Sequence, residues 1–338
     1  VEDNRKPGRI VFVGAVHEAR PALAALLGSP LAEVAAVITA TDAGRARLAG
    51  AVDFDGLIPD SVPVLRTDNA NAPEMVDTVR RLRPDLLVVV GWTRLIGRAL
   101  LAVPRHGTVG FHASLLPRNR GRAPVNWAIL RGEKVTGNTM MMLDPGVDTG
   151  DIVDQRPVPI GQDDTCGSVY LRLAALGADM LLAHLPALLA GTAPRRRQPP
   201  ALGDPLPKRT PEMGVLDWDR PAAAVHDWIR ALTFPYPGAF TSVGGRRAMV
   251  LASQLPAVGT RRGEPGTILG FQDSAMLVAT RDGGVLVTRM AVPGEESRSA
   301  RGWCERTGTA VGTRFDAVPT AISRWALGLG PHPARLPA

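Results

Sequence analysis

Arg9-Ile10-Val11-Phe12-Val13-Gly14 is a short apolar run closed by a glycine, the pattern of a strand covered on both faces. Helical spacing follows from Ala19 to Leu27, and Glu33-Val34-Ala35-Ala36-Val37-Ile38 predicts a second strand. Glu74 to Leu82 is again helical in spacing, and Arg83-Pro84-Asp85 interrupts it before a third strand, Leu86-Leu87-Val88-Val89-Val90. Alternation of this kind predicts an α/β fold, a doubly wound and mostly parallel sheet with helices on both faces. No Gly-x-Gly-x-x-Gly surrounds the glycine after the first strand, so a dinucleotide is not indicated. A helix from Thr165 to Leu189 closes this first domain, residues 1–190. Residues 191–211 are proline-rich without apolar periodicity, which is linker composition. Residues 212–338 change texture: a helix from Pro221 to Leu232 precedes short strand-like runs at Gly266–Gly270, Ala275–Thr280 and Gly284–Met290, separated by Gly, Asp and Ser. That pattern predicts a small C-terminal β-barrel.

The length of 338 residues agrees with two domains, and 45% hydrophobic residues exclude disordered and fibrous classes. No apolar run reaches the roughly 18 residues of a membrane helix; Asp179 and His184 break the stretch from Ala174 to Ala190. The N-terminal Val1-Glu2-Asp3-Asn4-Arg5-Lys6 is charged and does not read as a secretory leader. Cys166 and Cys304 form neither a disulfide framework nor a metal cluster, and the expectation is a cytoplasmic protein without metal. A net charge of +7 and a pI near 10.3 raise the question of nucleic acid. Of the basic residues only Lys6, Lys134 and Lys208 are lysines, and the arginines are scattered, apart from Arg195-Arg196-Arg197. This is composition bias rather than a phosphate-binding surface, and nucleic acid is not the expected partner.

Chemistry concentrates in Gly110-Phe111-His112-Ala113-Ser114-Leu115-Leu116-Pro117, followed by Arg120-Gly121-Arg122, and in Asp144-Pro145-Gly146-Val147-Asp148-Thr149-Gly150-Asp151. A histidine at a strand end, before a turn, is where open α/β sheets place reactive groups. An aspartate returning on a glycine-rich loop can orient the imidazole or share its proton transfer. Arg120 and Arg122 flank the turn, and guanidinium groups suit a carboxylate or phosphate on a substrate. Trp127, Trp228 and Cys166 read as core, and His17 and His106 as loop residues.

His112, Ser114 to Pro117, Arg120-Gly121, Pro124, Thr136-Gly137, Thr139 and Asp148 to Asp151 resemble, in order, the signature of the folate-dependent formyltransferases. The similarity continues into Leu216-Asp217-Trp218 and Pro235-Tyr236-Pro237-Gly238-Ala239-Phe240-Thr241, and spans about residues 9 to 290. The resemblance implies 10-formyltetrahydrofolate as co-substrate and an amine as acceptor. It implies that His112 donates to the oxyanion and Asp148 handles the amine proton. It also implies a pterin slot formed by residues 92–96, with Trp92, Arg94, Leu95 and Ile96, and by residues 143–147, with Leu143, Asp144 and Val147. The chain departs from the family at Gly110, where the family carries an asparagine that donates to the same oxyanion. Asn138, Asn126 or a water in the space at Gly110 are the stand-ins to consider, with Ser114, Arg120, Arg122 and Asn138 as acceptor contacts.

Residues 39–60, which would correspond to a tRNA-gripping loop, hold two arginines against four aspartates. A run like Gly121–Trp127 is similar to formyltransferases of nucleotide-linked amino sugars. The leading expectation is therefore an N-formyltransferase acting on a small-molecule amine: an amino sugar, an amino acid or a peptide intermediate of specialised biosynthesis. The alternative is a hydrolase releasing formate, as in the hydrolase domain of 10-formyltetrahydrofolate dehydrogenase. Methionyl-tRNA formyl transfer and a folate-binding pseudoenzyme rank below these. The identity of the acceptor and the oligomeric state are not legible in the sequence.

Overall fold

The computed structural model describes residues 6–200, 205–257 and 263–334. Val1–Arg5, most of the charged N-terminal segment considered above, lie outside the described residues. The chain divides into two compact units. One comprises Val1–Pro124, Val135–Pro159 and Val169–Leu206; the other comprises Val125–Lys134, Ile160–Ser168 and Pro207–Ala338.

The first unit alternates β1 (Gly8–Val13), α1 (Ala19–Leu27), β2 (Ala32–Thr39), α2 (Asp42–Arg45), β3 (Val64–Arg66), α3 (Pro73–Leu82), β4 (Leu86–Val89), α4 (Arg98–Leu101) and β5 (Thr108–His112). After α5 (Pro124–Leu130), which from Val125 onward belongs to the other unit, come β6 (Val135–Met142), β7 (Ile152–Pro159) and α6 (Cys166–Leu189). The seven strands form one sheet in the order β3-β2-β1-β4-β5-β6-β7. Pairing is parallel from β3 through β5 and antiparallel at β5–β6 and β6–β7. The expected mostly parallel, doubly wound sheet is present. Its order reverses at β1 and β4, the strand pair beside which such sheets open a crevice at their carboxyl ends.

Strand alternation sends two sets of side chains to opposite faces. Ile10, Phe12, Val37, Leu86, Val88, Val109, Met140 and Met142 pack with Leu23 and Leu26 of α1 and with Met180, Leu181, Leu185 and Leu188 of α6. Val11, Val13, Ile38, Leu87 and Val89 pack with Val76 and Val79 of α3 and with Leu100 of α4. By length and composition α6 is apolar enough to cross a membrane, with a mean hydropathy of 1.3 over its best window. Much of that apolar character is the stripe that covers the sheet, and His184 on the same helix meets Asp154 of β7 at 3.2 Å.

The second unit holds α7 (Ala222–Leu232) and an antiparallel sheet of β8 (Ala239–Val243), β9 (Arg246–Gln254), β10 (Ile268–Gln272), β11 (Ala275–Ala279) and β12 (Gly284–Ala291) in the order β10-β11-β12-β9-β8. The two-residue β13 (Arg298–Ser299) pairs with β12, and α8 (Ala300–Thr307) and α9 (Thr320–Ala326) follow. Trp127 and Trp228, expected as core, are both buried.

The proline-rich segment does more than join domains. Arg196 forms a two-way backbone bridge with Ile152, and Leu206 forms another with Arg120 and Arg122. A stretch without apolar periodicity gives no sign of this, because the bonds are made by main-chain groups whose partners lie far away in sequence.

Candidate active site

His112 ends β5, where its ladder partner on β6 is Thr139. The ring is 8% exposed. Its Nε2 lies 2.8 Å from the carbonyl oxygen of Asn119 and its Nδ1 lies 3.5 Å from Oδ2 of Asp148. A carbonyl only accepts, so Nε2 carries the proton of that bond and the ring orientation is fixed. Nδ1 faces a carboxylate across a gap too wide for a good hydrogen bond. A neutral ring presents a lone pair there, and an imidazolium presents an N–H. The site thus pairs one anchored ring nitrogen with a second that faces a carboxylate, an arrangement suited to proton transfer.

The turn carrying Asn119 is built from below. Thr139 Oγ1 donates to the Ser114 carbonyl and accepts from the Leu116 N–H, Gln155 Nε2 donates to the Leu116 carbonyl and to Thr139 Oγ1, and Ser114 Oγ donates to the Arg118 carbonyl. Asp148 is held from the other side: its Oδ2 accepts the Gly121 N–H at 2.8 Å, and Gln198 Nε2 donates to the Asp148 and Gly150 carbonyls at 2.9 and 2.8 Å. Asn119, Ala123 and Asp148 all have φ between 51° and 55°, and Gly121 has φ 103°. Non-glycine residues in this region are strained, and their concentration around one imidazole marks a site that the surroundings over-determine. Gly121 is required twice over, since a Cβ there would lie 2.5 Å from the Leu206 backbone.

Several expectations are corrected by this geometry. Gly110 does not leave a vacancy for water: a Cβ at this position would lie 2.6 Å from Cδ2 of Leu143, whose side chain fills the space. Asn138 is not available as a donor beside His112. Its Nδ2 donates to the Leu173 carbonyl of α6, on the face of the sheet opposite Thr139. Asn126 spends its Nδ2 on the Ala231 carbonyl. Ser114, expected as an acceptor contact, is 1% exposed and its hydroxyl is committed to Arg118, so it shapes the turn instead.

The two expected slot segments do converge. Trp92 and Leu143 pack on the same cluster, which includes Val89 and Ile96. Trp92 Nε1 is buried and has no hydrogen-bond partner among the described residues, which leaves a donor for a ligand. Leu95 and Arg94 are exposed, and Val147 is half-buried. Asp144 shapes its own loop by accepting from Thr149 Oγ1 at 2.7 and 2.8 Å and from the Gly146 N–H at 3.0 Å. Arg122 is exposed and Arg120 half-buried. Gln198, Asn119 and Gln155 carry no motif: the first two act through backbone carbonyls, and Gln155 bonds to the Leu116 carbonyl and to Thr139 Oγ1.

An imidazole and a carboxylate gathered at the end of β5, with the apolar cluster of Trp92, Ile96 and Leu143 in the same unit, are parts suited to an enzyme that moves protons. The chain belongs to the formyl transferase family: the formyl transferase domain matches residues 8–185 and the formyl transferase C-terminal domain matches residues 208–308. Among its relatives is the methionyl-tRNA formyltransferase of Geobacter sulfurreducens, 38% identical over 291 residues that cover 85% of this chain and 90% of the relative. The fold is also that of HypX from Aquifex aeolicus, solved in complex with tetrahydrofolic acid (TM-score 0.64, 20% identity, 93% of this chain and 49% of HypX). An N-formyltransferase from Helicobacter canadensis, solved with folinic acid and dTDP-3-aminofucose, shares it too (TM-score 0.61, 17% identity, 82% of this chain and 98% of that one).

Proposed function

We propose that the chain transfers the formyl group of 10-formyltetrahydrofolate to the primary amine of a small molecule. The observation that carries formyl transfer is the His112–Asp148 pair at 3.5 Å, with the opposite ring nitrogen anchored on Asn119, and what favours a small amine is the acidic balance of residues 39–60. The amine nitrogen bonds to the formyl carbon, and the carbonyl electron pair moves to oxygen. A proton on His112 Nδ1 is the donor that stabilises this oxyanion, the kind of preorganised contact on which acyl transfer depends. Asp148 accepts the proton lost by the amine. When the tetrahedral species collapses, the bond from the formyl carbon to the folate nitrogen breaks and that nitrogen takes up the proton held by Asp148, releasing tetrahydrofolate and the formamide. The pterin is assigned to the slot of Trp92, Ile96, Leu143 and Val147, where the unpartnered Trp92 N–H meets a ring acceptor.

A second reading, transfer to methionyl-tRNA, is favoured by the 38% identical relative. Against it, the arginines of the loop after β2 are already engaged: Arg45 Nη1 is 2.6 Å from Asp53, and Arg47 Nη2 is 3.0 Å from Asp68. Phosphate contacts would compete with these carboxylates.

The test uses folate labelled in the formyl group, presented with amino sugars, amino acids, methionyl-tRNA or no acceptor. Label in a small amide is expected, and His112→Ala is expected to abolish it with folate binding retained. Label only in methionyl-tRNA selects the second reading. Rapid formate release without acceptor sinks both in favour of hydrolysis.

A further inference from the structure

One side chain ties the loop between β3 and α3 to the segment between β4 and α4. Asn71 Nδ2 donates to the Leu95 carbonyl at 2.9 Å, and Asn71 Oδ1 accepts the Gly97 N–H at 2.6 Å. A primary amide offers a donor and an acceptor side by side, whereas a carboxylate could make only the second of these bonds. The two partners stand on either side of Ile96.

Little else holds this segment. Residues 92–96 belong to neither a helix nor a strand. Among the described residues, the Leu95 carbonyl is the one main-chain group of residues 92–96 with a hydrogen-bond partner. Asn71, in contrast, is set firmly by its own loop. Its N–H donates to Asn69 Oδ1 at 3.1 Å, and the Asn69 N–H donates to Thr67 Oγ1 at 2.9 Å. Its neighbour Ala70 is buried in the cluster that contains Ile96 and Leu100, on which Trp92 and Leu143 also pack. Leu95 is 56% exposed and Ile96 only 5% exposed, so the bonds to Leu95 and Gly97 pin the chain where Ile96 turns inward.

We propose that Asn71 is a positioning residue for the folate: by fixing the main chain on both sides of Ile96, its amide sets the shape of the slot formed by Trp92, Ile96, Leu143 and Val147. The inference rests on the assignment of the pterin to that slot. A segment with so few bonds of its own would otherwise have to be ordered by the ligand, and that ordering lowers affinity. Asn71 has no bond to His112 or Asp148 among the described residues, so its effect falls on folate affinity and not on the chemical step.

The test is calorimetric titration of the full chain with folinic acid, alongside thermal unfolding of the unliganded protein. Asn71→Ala is expected to weaken binding by about tenfold. Its unfolding midpoint should move little, because the side chain is exposed. Ile96→Ala should weaken binding as well, and Asn71→Ala added to it should cost little more, since the amide acts through Ile96. Ile96→Val takes its place in the cycle if the larger truncation impairs folding. Parental affinity in Asn71→Ala, with binding weakened in the Ile96 variant, would overturn the inference and leave the slot assignment standing. Parental affinity in both would overturn the slot assignment and the inference together. Fully additive losses, or a lowered midpoint with unchanged affinity, would reduce Asn71 to a structural contact and overturn its positioning role.

Discussion

Leu143 decides what the chain can do at position 110. Its side chain stands where the Cβ of any larger residue would go, and it also packs against Leu116, Met141 and Ile152. The glycine beside His112 is therefore half of a packed pair and not a widened pocket. Gly110→Asn alone should overpack this contact and lower stability by about 1–3 kcal/mol. Leu143→Ala leaves a cavity by itself, yet it should recover much of the loss when combined with Gly110→Asn. Thermal unfolding of the two single variants and the double variant reads this directly. Strictly additive losses would show that the two positions do not share the space.

Among the elements, two loops and a strip of irregular chain matter more than the helices. The loop after β5 offers the Asn119 carbonyl to His112, and the loop between β6 and β7 brings Asp148. Gln198 clasps the second loop through two carbonyls, although it lies in a proline-rich segment that reads as a connector. Gln198→Ala should let Asp148 drift, reducing kcat by about tenfold, the size of one lost hydrogen bond expressed in rate. The unfolding midpoint and KM for folate should move little. An unchanged kcat would show that Gly121 alone holds the carboxylate. Strands β1, β2, β4, β10, β11 and β12 and helices α1, α3, α6 and α7 are legible from apolar spacing, because burial of one face imposes a period on the sequence; β3 and β6 to β9 are not. Nor is the clasp, because an amide bonding to two carbonyls demands no pattern around it.

At the scale of the whole molecule, burial governs the two thiols. It pushes Cys166 up to about 12 and Cys304 up to about 11, above the roughly 8.5 of a free cysteine. The folded state therefore keeps protons that the unfolded chain releases. Stability from this source is complete below about pH 8.5 and drains as pH rises toward the folded values. Urea unfolding should show stability falling above that pH, less steeply in Cys166→Ala. At pH 8 a thiol reagent should label neither cysteine until the protein unfolds, and rapid labelling of the native state would contradict the burial. The sequence by itself determined the alternating fold, the change to short antiparallel strands, and the His112 and Asp148 positions, since periodicity and an ordered motif are properties of the chain. Only the tertiary structure decided that Leu143 fills the space at Gly110 and that Asn138 and Ser114 are spent elsewhere. Those outcomes depend on which face a side chain takes and which distant backbone group reaches it first, and neither is written in the spacing of residues along the chain.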